Sequence, residues 1–499
     1  MLASARTFTL LGVEAREVQV EVDVGRGLPA FSLVGLPDAA VRESRERVRS
    51  ALINSGFEFP QRRITANLAP ADLRKAGPGF DLAIAAALLA ASGQLPGKRL
   101  GPVALAGELA LDGSIRPVVG TLAMAEAAGR RGSQAIVVPA PNAAEAALAG
   151  GPRVVPLERL DQLSLLGTEG EPTPPPPEDW SANGTGAALD LADLRGQPYL
   201  RHALEVAAAG GHSILITGPP GAGKSLAARR LPSILPPLRR SEALEVLRIA
   251  SACGRIGAGS ALIGRPFRAP HHTISAAGLV GGGSPPRPGE VTLAHGGALF
   301  LDELGEFSRD ALEALRQPLE EGRVVLTRAR HSIELPCRFL LIAAANGCPC
   351  GHGEEDERCD CPPLSIRRYQ AKLSGALADR IDIALAVHRP SAEEMGGAAG
   401  ESSAIVRQRV VAARERQERR LGTDRCNADM SPPEARRHAA LRGDAKLILA
   451  EGHERLALSG RGYDRVLKVA RTIADLAGCD PVGADHVGEA LGLRRRGDR

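Results

Sequence analysis

The chain has 499 residues, with 62 Lys and Arg against 58 Asp and Glu, a net charge of +4, and 44% hydrophobic residues. That length predicts about three domains, and eight cysteines are too sparse for a disulfide scaffold. The longest apolar run, Leu82 to Ala91, falls far short of the ~20 residues that span a bilayer, which excludes a helical membrane role and a membrane partner. The N-terminus has no apolar stretch behind a basic start, so the expected location is cytoplasmic.

Residues 1–166 read as a mixed α and β domain. Val18, Val20, Val22 and Val24 alternate with polar residues as a half-buried strand does, Ala39 to Ser55 reads as a helix charged on one side, and a second helix is expected over Phe80 to Ala91. Strands are expected near Val103–Ala106 and Ala135–Val138. The stretch 167–186, with five prolines and no apolar periodicity, predicts an extended spacer. Beyond it, residues 187–390 alternate short apolar runs (Ser213–Thr217, Ala298–Leu301, Phe339–Ala345) with helical stretches, the pattern of a doubly wound parallel sheet with crossover helices. From 391 to 499 strand signals stop, and segments at Ile405–Arg420, Ala445–Ala457, Tyr463–Leu476 and Ala484–Leu491 predict a small helical domain. Residues 401–499 carry a net charge of +5 and leave −1 for everything before them; such charge either touches phosphates or forms a solvated helical face.

The stretch Gly218, Pro219, Pro220, Gly221, Ala222, Gly223, Lys224 and Ser225 fits the phosphate-loop pattern G-x-x-x-x-G-K-[ST], between a predicted strand and a predicted helix. Its backbone N–H groups and the helix N-terminus are expected to face the phosphates of ATP, with Lys224 on the β and γ oxygens and Ser225 on Mg²⁺. The buried strand Ala298–Leu301 then ends in Asp302 and Glu303, which suit the Mg²⁺ shell and the polarising of an attacking water. Asn346 ends a third apolar strand and suits orientation of that water, or only a turn. Arg380 and Arg461 are two arginines available for γ-phosphate charge or for the surface. Lys224 and Asp302 stand 78 positions apart, too far for one helix, one strand and one helix, so an insertion is expected. Residues 254–297 supply it, with Gly281 to Gly283 as its tip, and Arg265 to His272 as a DNA contact or a structural loop with buried histidine. Cys348, Cys350, Cys359 and Cys361 form two C-x-C pairs, a set suited to tetrahedral Zn²⁺; a reduced structural loop and a redox sensor are the alternatives.

Several of these stretches together resemble the ComM/YifB type of Mg-chelatase-like AAA+ ATPases. They are Phe31-Ser-Leu-Val-Gly-Leu-Pro-Asp38, Asn67-Leu-Ala-Pro-Ala-Asp72, Pro270-His-His-Thr-Ile-Ser275, Pro288-Gly-Glu-Val-Thr-Leu-Ala-His295 and Leu301-Asp-Glu-Leu with Glu306-Phe307. The resemblance implies a central AAA+ domain with a C-terminal helical lid, Asn346 as sensor 1, Arg380 as an arginine finger acting across a subunit boundary, Arg461 as sensor 2, and a hexameric ring. The N-terminal stretches Lys75 to Leu82 and Gly107 to Val118 are similar to the proteolytic domain of Lon, whose fold occurs also in a ribosomal protein. Gly79 stands where that family needs its serine, and Thr121-Leu-Ala-Met-Ala supplies no lysine, so the resemblance implies the fold without the protease chemistry.

The function these features imply is an ATP-hydrolysing ring that moves on single-stranded or branched DNA, as ComM-like proteins do in branch migration during natural transformation. Aromatic residues make up only 3%, so the expected DNA contact runs through Arg and Lys to phosphates, without sequence specificity. The alternative is a protein-remodelling ATPase like the magnesium chelatase motor subunit. A chelatase motor would not need the Lon-like domain, nor basic residues in the insert.

Overall fold

A computed structural model of the chain describes residues 1–172, 189–256, 264–283, 286–328, 331–351, 358–374, 377 and 380–494; most of the expected proline spacer lies outside them. The chain divides into two units, Met1–Gly184 with Arg239–Ile263, and Thr185–Leu238 with Gly264–Arg499.

In the first unit, β1 (Leu2–Leu11) and β2 (Glu14–Gly25) pair as an antiparallel hairpin whose turn passes through Gly12 at φ 67°. The valine alternation read from the sequence is real: Val18, Val20 and Val22 are fully buried along β2, because the period of a strand places every second side chain on the core face. With β3 (Ala30–Val34), β4 (Arg63–Ala69), β5 (Val103–Leu105), β6 (Ala135–Pro139) and β7 (Arg153–Leu157) they make a mixed sheet in the order β3-β4-β2-β1-β5-β6-β7. Helices α1 (Ala39–Asn54), α2 (Asp81–Ala91) and α3 (Thr121–Arg130) complete the unit. Helix α2 is buried along its whole length, including Asp81, whose carboxylate is held by Arg47 of α1 at 2.6 and 3.1 Å. Gly79 lies in the 3₁₀ turn Pro78–Phe80 that precedes α2. A Cβ there would meet only Val118 at 3.6 Å, so the fold itself does not demand glycine at that position.

The helix Arg240–Ala252 lies between the phosphate loop and Asp302 in sequence, yet it packs within the first unit. Its Val246, Leu247 and Ile249 are buried, Arg248 reaches Glu126 at 3.3 Å, Ser251 donates to Glu145, and the Ser251 carbonyl accepts from the Gly120 amide at 3.2 Å. The excess length between Lys224 and Asp302 therefore begins earlier than the expected insertion over 254–297.

The second unit holds α4 (Pro198–Gly210), β8 (Ile214–Thr217), α5 (Lys224–Arg230), β9 (Phe267–Arg268), β10 (Ala298–Leu301), β11 (Leu340–Ala345), α6 (Pro363–Ser374) and β12 (Ile383–Ala386). The five strands form one wholly parallel sheet in the order β9-β10-β11-β8-β12. β10 and β11 are buried at every residue, as strands covered on both faces must be, so they read as continuous apolar runs. The helices α7 (Ser403–Leu421), α8 (Pro432–Ala439), α9 (Asp444–Arg455), α10 (Gly460–Leu476) and α11 (Ala484–Gly492) follow. One apolar core continues from Ile216, Phe300 and Ile342 of the sheet into Val410, Val466 and Leu491 of these helices. α8 was not expected, since its eight residues, PPEARRHA, carry two prolines and little apolar periodicity; Pro432 sits in the first turn, where its missing N–H is harmless, and Glu434 caps the Ser431 amide at 2.8 Å.

A buried charge network ties these helices together. Asp475 on α10 is almost fully enclosed and accepts from Arg420 of α7 at 2.6 and 3.0 Å, from Asn427 at 2.8 Å, and pairs with Arg471 at 3.1 Å. Removing one partner of such a network leaves buried charge uncompensated. Asp475→Ala is expected to destabilise the helical region by about 3–5 kcal/mol, seen as lost amide-exchange protection across 403–492 while the first unit keeps its protection.

Candidate nucleotide site

Strand register builds the site. In the parallel pairs, Thr217 of β8 lies opposite Ala345 of β11, and Leu301 of β10 opposite Ala343. The residues that follow these strands, Gly218, Asn346 and Asp302, therefore emerge along the carboxyl edge of the sheet, where open α/β sheets place their ligands.

The loop from Gly218 to Gly223 needs its glycines for separate reasons. At Gly218 a Cβ would stand 2.3 Å from the Val387 carbonyl oxygen, so close backbone approach excludes any side chain. Gly221 and Gly223 sit at φ 80° and 81°, the left-handed region that glycine enters without cost. Lys224 opens α5, and its buried ammonium donates to the carbonyls of Gly218 and Pro219 at 2.5 and 2.9 Å and to Asn346 Oδ1 at 3.0 Å. Burial pushes the Lys224 ammonium below its ordinary value, opposed by the charges of Asp302 and Glu303. Ser225 Oγ donates to Asp302 Oδ2 at 2.7 Å, so a hydroxyl and a carboxylate that could share a Mg²⁺ ion already face one another. Glu303 follows at φ 52° and ψ 51°, an uncommon conformation for a non-glycine residue, and its amide donates back to Asp302 Oδ1 at 3.0 Å.

These groups line a cleft of about 530 Å³, within the range of small-molecule sites. Lys224, Ser225, Asp302, Glu303 and Asn346 lie on it together with Pro220 to Gly223, and its wall also includes Arg195, Gln197, Leu226 and Met395. Arg380 and Arg461 are not brought to this cleft. Both converge on Glu320, whose Oε1 lies 2.5 Å from Arg380 Nη2 and 3.8 Å from Arg461 Nη1.

In the stretch Arg265 to His272 both arginines have protein partners, His272 is partly buried and His271 is exposed. Arg265 donates to the carbonyls of Pro236, Pro237 and Gly296 at 2.5, 3.3 and 2.6 Å, and Arg268 makes a two-pronged pair with Glu290 at 2.6 and 2.9 Å. Both guanidinium groups are thus engaged by protein partners, and the Arg268 side chain remains partly exposed. Nor is Gly281 a free tip: it is buried, pairs with Pro288 in a short ladder, and a Cβ on it would stand 2.7 Å from the Arg287 carbonyl oxygen. Residues 257–263 and 284–285 of the expected insertion lie outside the described residues.

Three contacts in and around the site have no local signal in the sequence. His272 Nδ1 stands 3.2 Å from Glu303 Oε2, with the His271 ring tilted at 35° beside it, 4.1 Å between centroids. Its position follows from register, because Phe267 of β9 pairs with Ala298 of β10, and five residues further on these strands lead to His272 and Glu303. The two-residue strand β9 is too short to announce itself by periodicity, so this signal was hidden. Gln197 donates to the Ala222 carbonyl at 2.7 Å and to the His388 carbonyl at 3.0 Å, tying the phosphate loop to the segment after β12. Glu320, the shared partner of the two arginines, is one acid among many in the sequence. The sulfurs of Cys348, Cys350, Cys359 and Cys361 lie within 4.8 Å of one another and form a group able to hold a metal ion.

Three family models match the chain. "Magnesium chelatase, subunit ChlI" matches residues 190–395, "Subunit ChlI of Mg-chelatase" matches 20–142, and "Magnesium chelatase, subunit ChlI C-terminal" matches 400–494. The chain is 43% identical over 495 residues to the protein YifB of Escherichia coli, covering 99% of this chain and 97% of that one. It is 42% identical over 493 residues to the competence protein ComM of Haemophilus influenzae, covering 97% and 96%. A shorter match, 31% identical over 183 residues and 32% of each chain, is to Lon protease 2 of Bacillus subtilis.

His272→Ala removes the side chain whose Nδ1 stands 3.2 Å from Glu303 Oε2. The expected result is a fall in ATP turnover of roughly tenfold, the scale of a lost orienting partner, with affinity for ATP unchanged; equal turnover in the variant would show that the contact orients nothing.

Proposed function

The chain belongs to the ComM/YifB family of Mg-chelatase-like AAA+ ATPases, and on that premise we propose that it is a hexameric, ATP-driven motor acting on DNA. The activity we assign is branch migration or helicase movement of the kind used in natural transformation and recombination. The observation that carries the reading is the grouping of Lys224, Ser225, Asp302, Glu303 and Asn346 on one cleft, while Arg380 and Arg461 gather on Glu320 outside it.

ATP binds with its phosphates on the loop from Gly218 to Gly223. Lys224 neutralises the β and γ oxygens, Ser225 and Asp302 hold Mg²⁺, Glu303 polarises the attacking water, and Asn346 orients it. Charge on the transferred phosphoryl group remains to be met by arginine. Arg380 lies off its own cleft and serves as a finger on the nucleotide of a neighbouring subunit, which makes an oligomer part of the catalytic machinery, and Arg461 is sensor 2. Zn²⁺ on Cys348, Cys350, Cys359 and Cys361 completes the metal complement. The cell interior is the setting, with no membrane partner.

Support for DNA as the partner comes from full-length similarity to a competence protein and from the net charge of +5 over residues 401–499. Contact through Lys and Arg to phosphates is independent of sequence and weakens steeply with salt. One observation favours the second reading, a protein-remodelling ATPase: the internal pairing of Arg265 and Arg268 withdraws the most basic part of the insert from DNA.

An ATPase assay with single-stranded, duplex and four-way-junction DNA separates the two. Stimulation by branched or single-stranded DNA, falling as salt rises, is expected; stimulation by none of the three would transfer the assignment to protein remodelling. Glu303→Gln is expected to retain bound ATP and the ring while turnover falls by about 10²-fold or more, the scale of a lost catalytic acid or base. Unchanged turnover would remove Glu303 from its role. Arg380→Ala subunits mixed with wild-type subunits are expected to lower turnover more than in proportion to their share, because each spoils a neighbour's site; a linear decline would argue against action across the boundary.

A further inference from the structure

We propose that Zn²⁺ held by Cys348, Cys350, Cys359 and Cys361 is the brace that fixes the nucleotide cleft, joining the end of β11 to the phosphate loop and to the turn after Asp302 and Glu303. The inference deepens the zinc reading above and rests on it.

The sulfur geometry suits the ion. Cys348 Sγ lies 3.2 Å from Cys350 Sγ and 3.6 Å from Cys359 Sγ, Cys350 and Cys359 are 3.6 Å apart, and the whole set falls within 4.8 Å. Tetrahedral thiolates with Zn–S of about 2.3 Å stand about 3.8 Å from one another, so only small shifts separate the observed set from a closed four-sulfur site. All four are free thiols, and Cys348 is buried.

Position gives the brace its meaning. Cys348 comes two residues after Asn346, the group that receives the Lys224 ammonium. Between the first two ligands and the third the chain turns through Gly351 at φ 94°, where a Cβ would stand 3.2 Å from Pro220 Cγ and 3.8 Å from Asn346 Nδ2. The metal loop thus lies directly against the phosphate loop. After the last ligand the chain enters α6, and the ring of its Tyr369 occupies the space over Gly305, where a Cβ would be 2.2 Å from the ring edge. Gly305 belongs to the turn Leu304–Glu306 that follows the two acids. Of the loop's described residues only Cys348 and Gly351 are buried, so apolar burial alone gives the loop little to fold around, and a metal is the ordinary means of ordering such a segment. Four sulfur bonds at one point then hold three parts of the cleft in a fixed relation. A shift on the order of 1 Å in such groups costs about 10²-fold in rate.

The test uses the full chain. Purified protein is expected to carry one zinc per chain by elemental analysis, and the double variant Cys359→Ser with Cys361→Ser to carry none. Zinc stripped from the wild-type chain by a chelator, followed by dialysis into excess Mg²⁺, gives the same metal-free state without mutation. In both, amide exchange at 346–351 and at the phosphate loop is expected to rise while the first unit keeps its protection, and turnover to fall at least about tenfold; added Zn²⁺ restores only the stripped wild type. A chain purified without zinc, and unable to take it up, overturns the site. A chain whose zinc can be removed with exchange at 346–351 and turnover both unchanged overturns the brace while leaving the zinc assignment intact. Zinc content and amide exchange do not depend on ATP hydrolysis, so they are read even if the proposed motor activity fails.

Discussion

Everything at the nucleotide cleft depends on the in-register parallel pairing of β8, β11 and β10. Pairing of Thr217 with Ala345 and of Leu301 with Ala343 delivers a phosphate loop, an amide and a carboxylate to one edge with no further device. A slip of one residue would carry each strand's side chains to the opposite face and separate Ser225 from Asp302, now 2.7 Å apart. Ladders so heavily buried resist such slips. Ile216, Phe300, Ile342 and Ala344 are all enclosed, and shortening one of them, such as Phe300 to alanine, costs about 3–5 kcal/mol in a close-packed core.

How much of this was legible in the sequence depended on how local the physics was. The phosphate loop is eight consecutive residues in which Gly218, Gly223, Lys224 and Ser225 are required by backbone conformation or phosphate chemistry, so it could be read directly. The same holds for the valine strand β2 and for the apolar runs of β10 and β11, where burial on one or both faces writes a period into the chain. Elements whose placement depends on a distant partner left no such trace. The helix Arg240–Ala252 reads as an ordinary amphipathic helix, and nothing local says that its apolar face is taken by the first unit. His272 reads as part of a basic stretch, and only the pairing of Phe267 with Ala298 reveals it beside Glu303. Arg265 and Arg268 looked available because a sequence counts charges and does not show which carbonyls or carboxylates have claimed them.

The fold also concentrates charge in places that composition hides. A net of +4 over the whole chain suggests a bland electrostatic surface, yet Asp81 and Asp475 are both buried against arginine partners. Buried pairs of this kind add little net stability compared with apolar residues of the same shape, but they penalise every arrangement in which one partner is missing. In the helical region that selectivity fixes how α7, the 3₁₀ turn at Asn427 and α10 meet. The lid is thereby specified by charge as well as by the apolar core it shares with the sheet.

The path of the backbone between the two units has a mechanical meaning. The chain passes from the first unit to the second beyond Gly184, returns with Arg239, and leaves again after Ile263. The first unit is therefore discontinuous, and cutting the polypeptide once in the proline-rich stretch would leave only its Arg239–Ile263 part covalently bound to the second unit. A fragment ending at that stretch would lack the partner for the α3 side of its own core, and Glu126 and Glu145 would lose Arg248 and Ser251. The chain thus crosses between the units three times in place of once. In such a chain the N-terminal unit is wired into the catalytic one rather than appended to it.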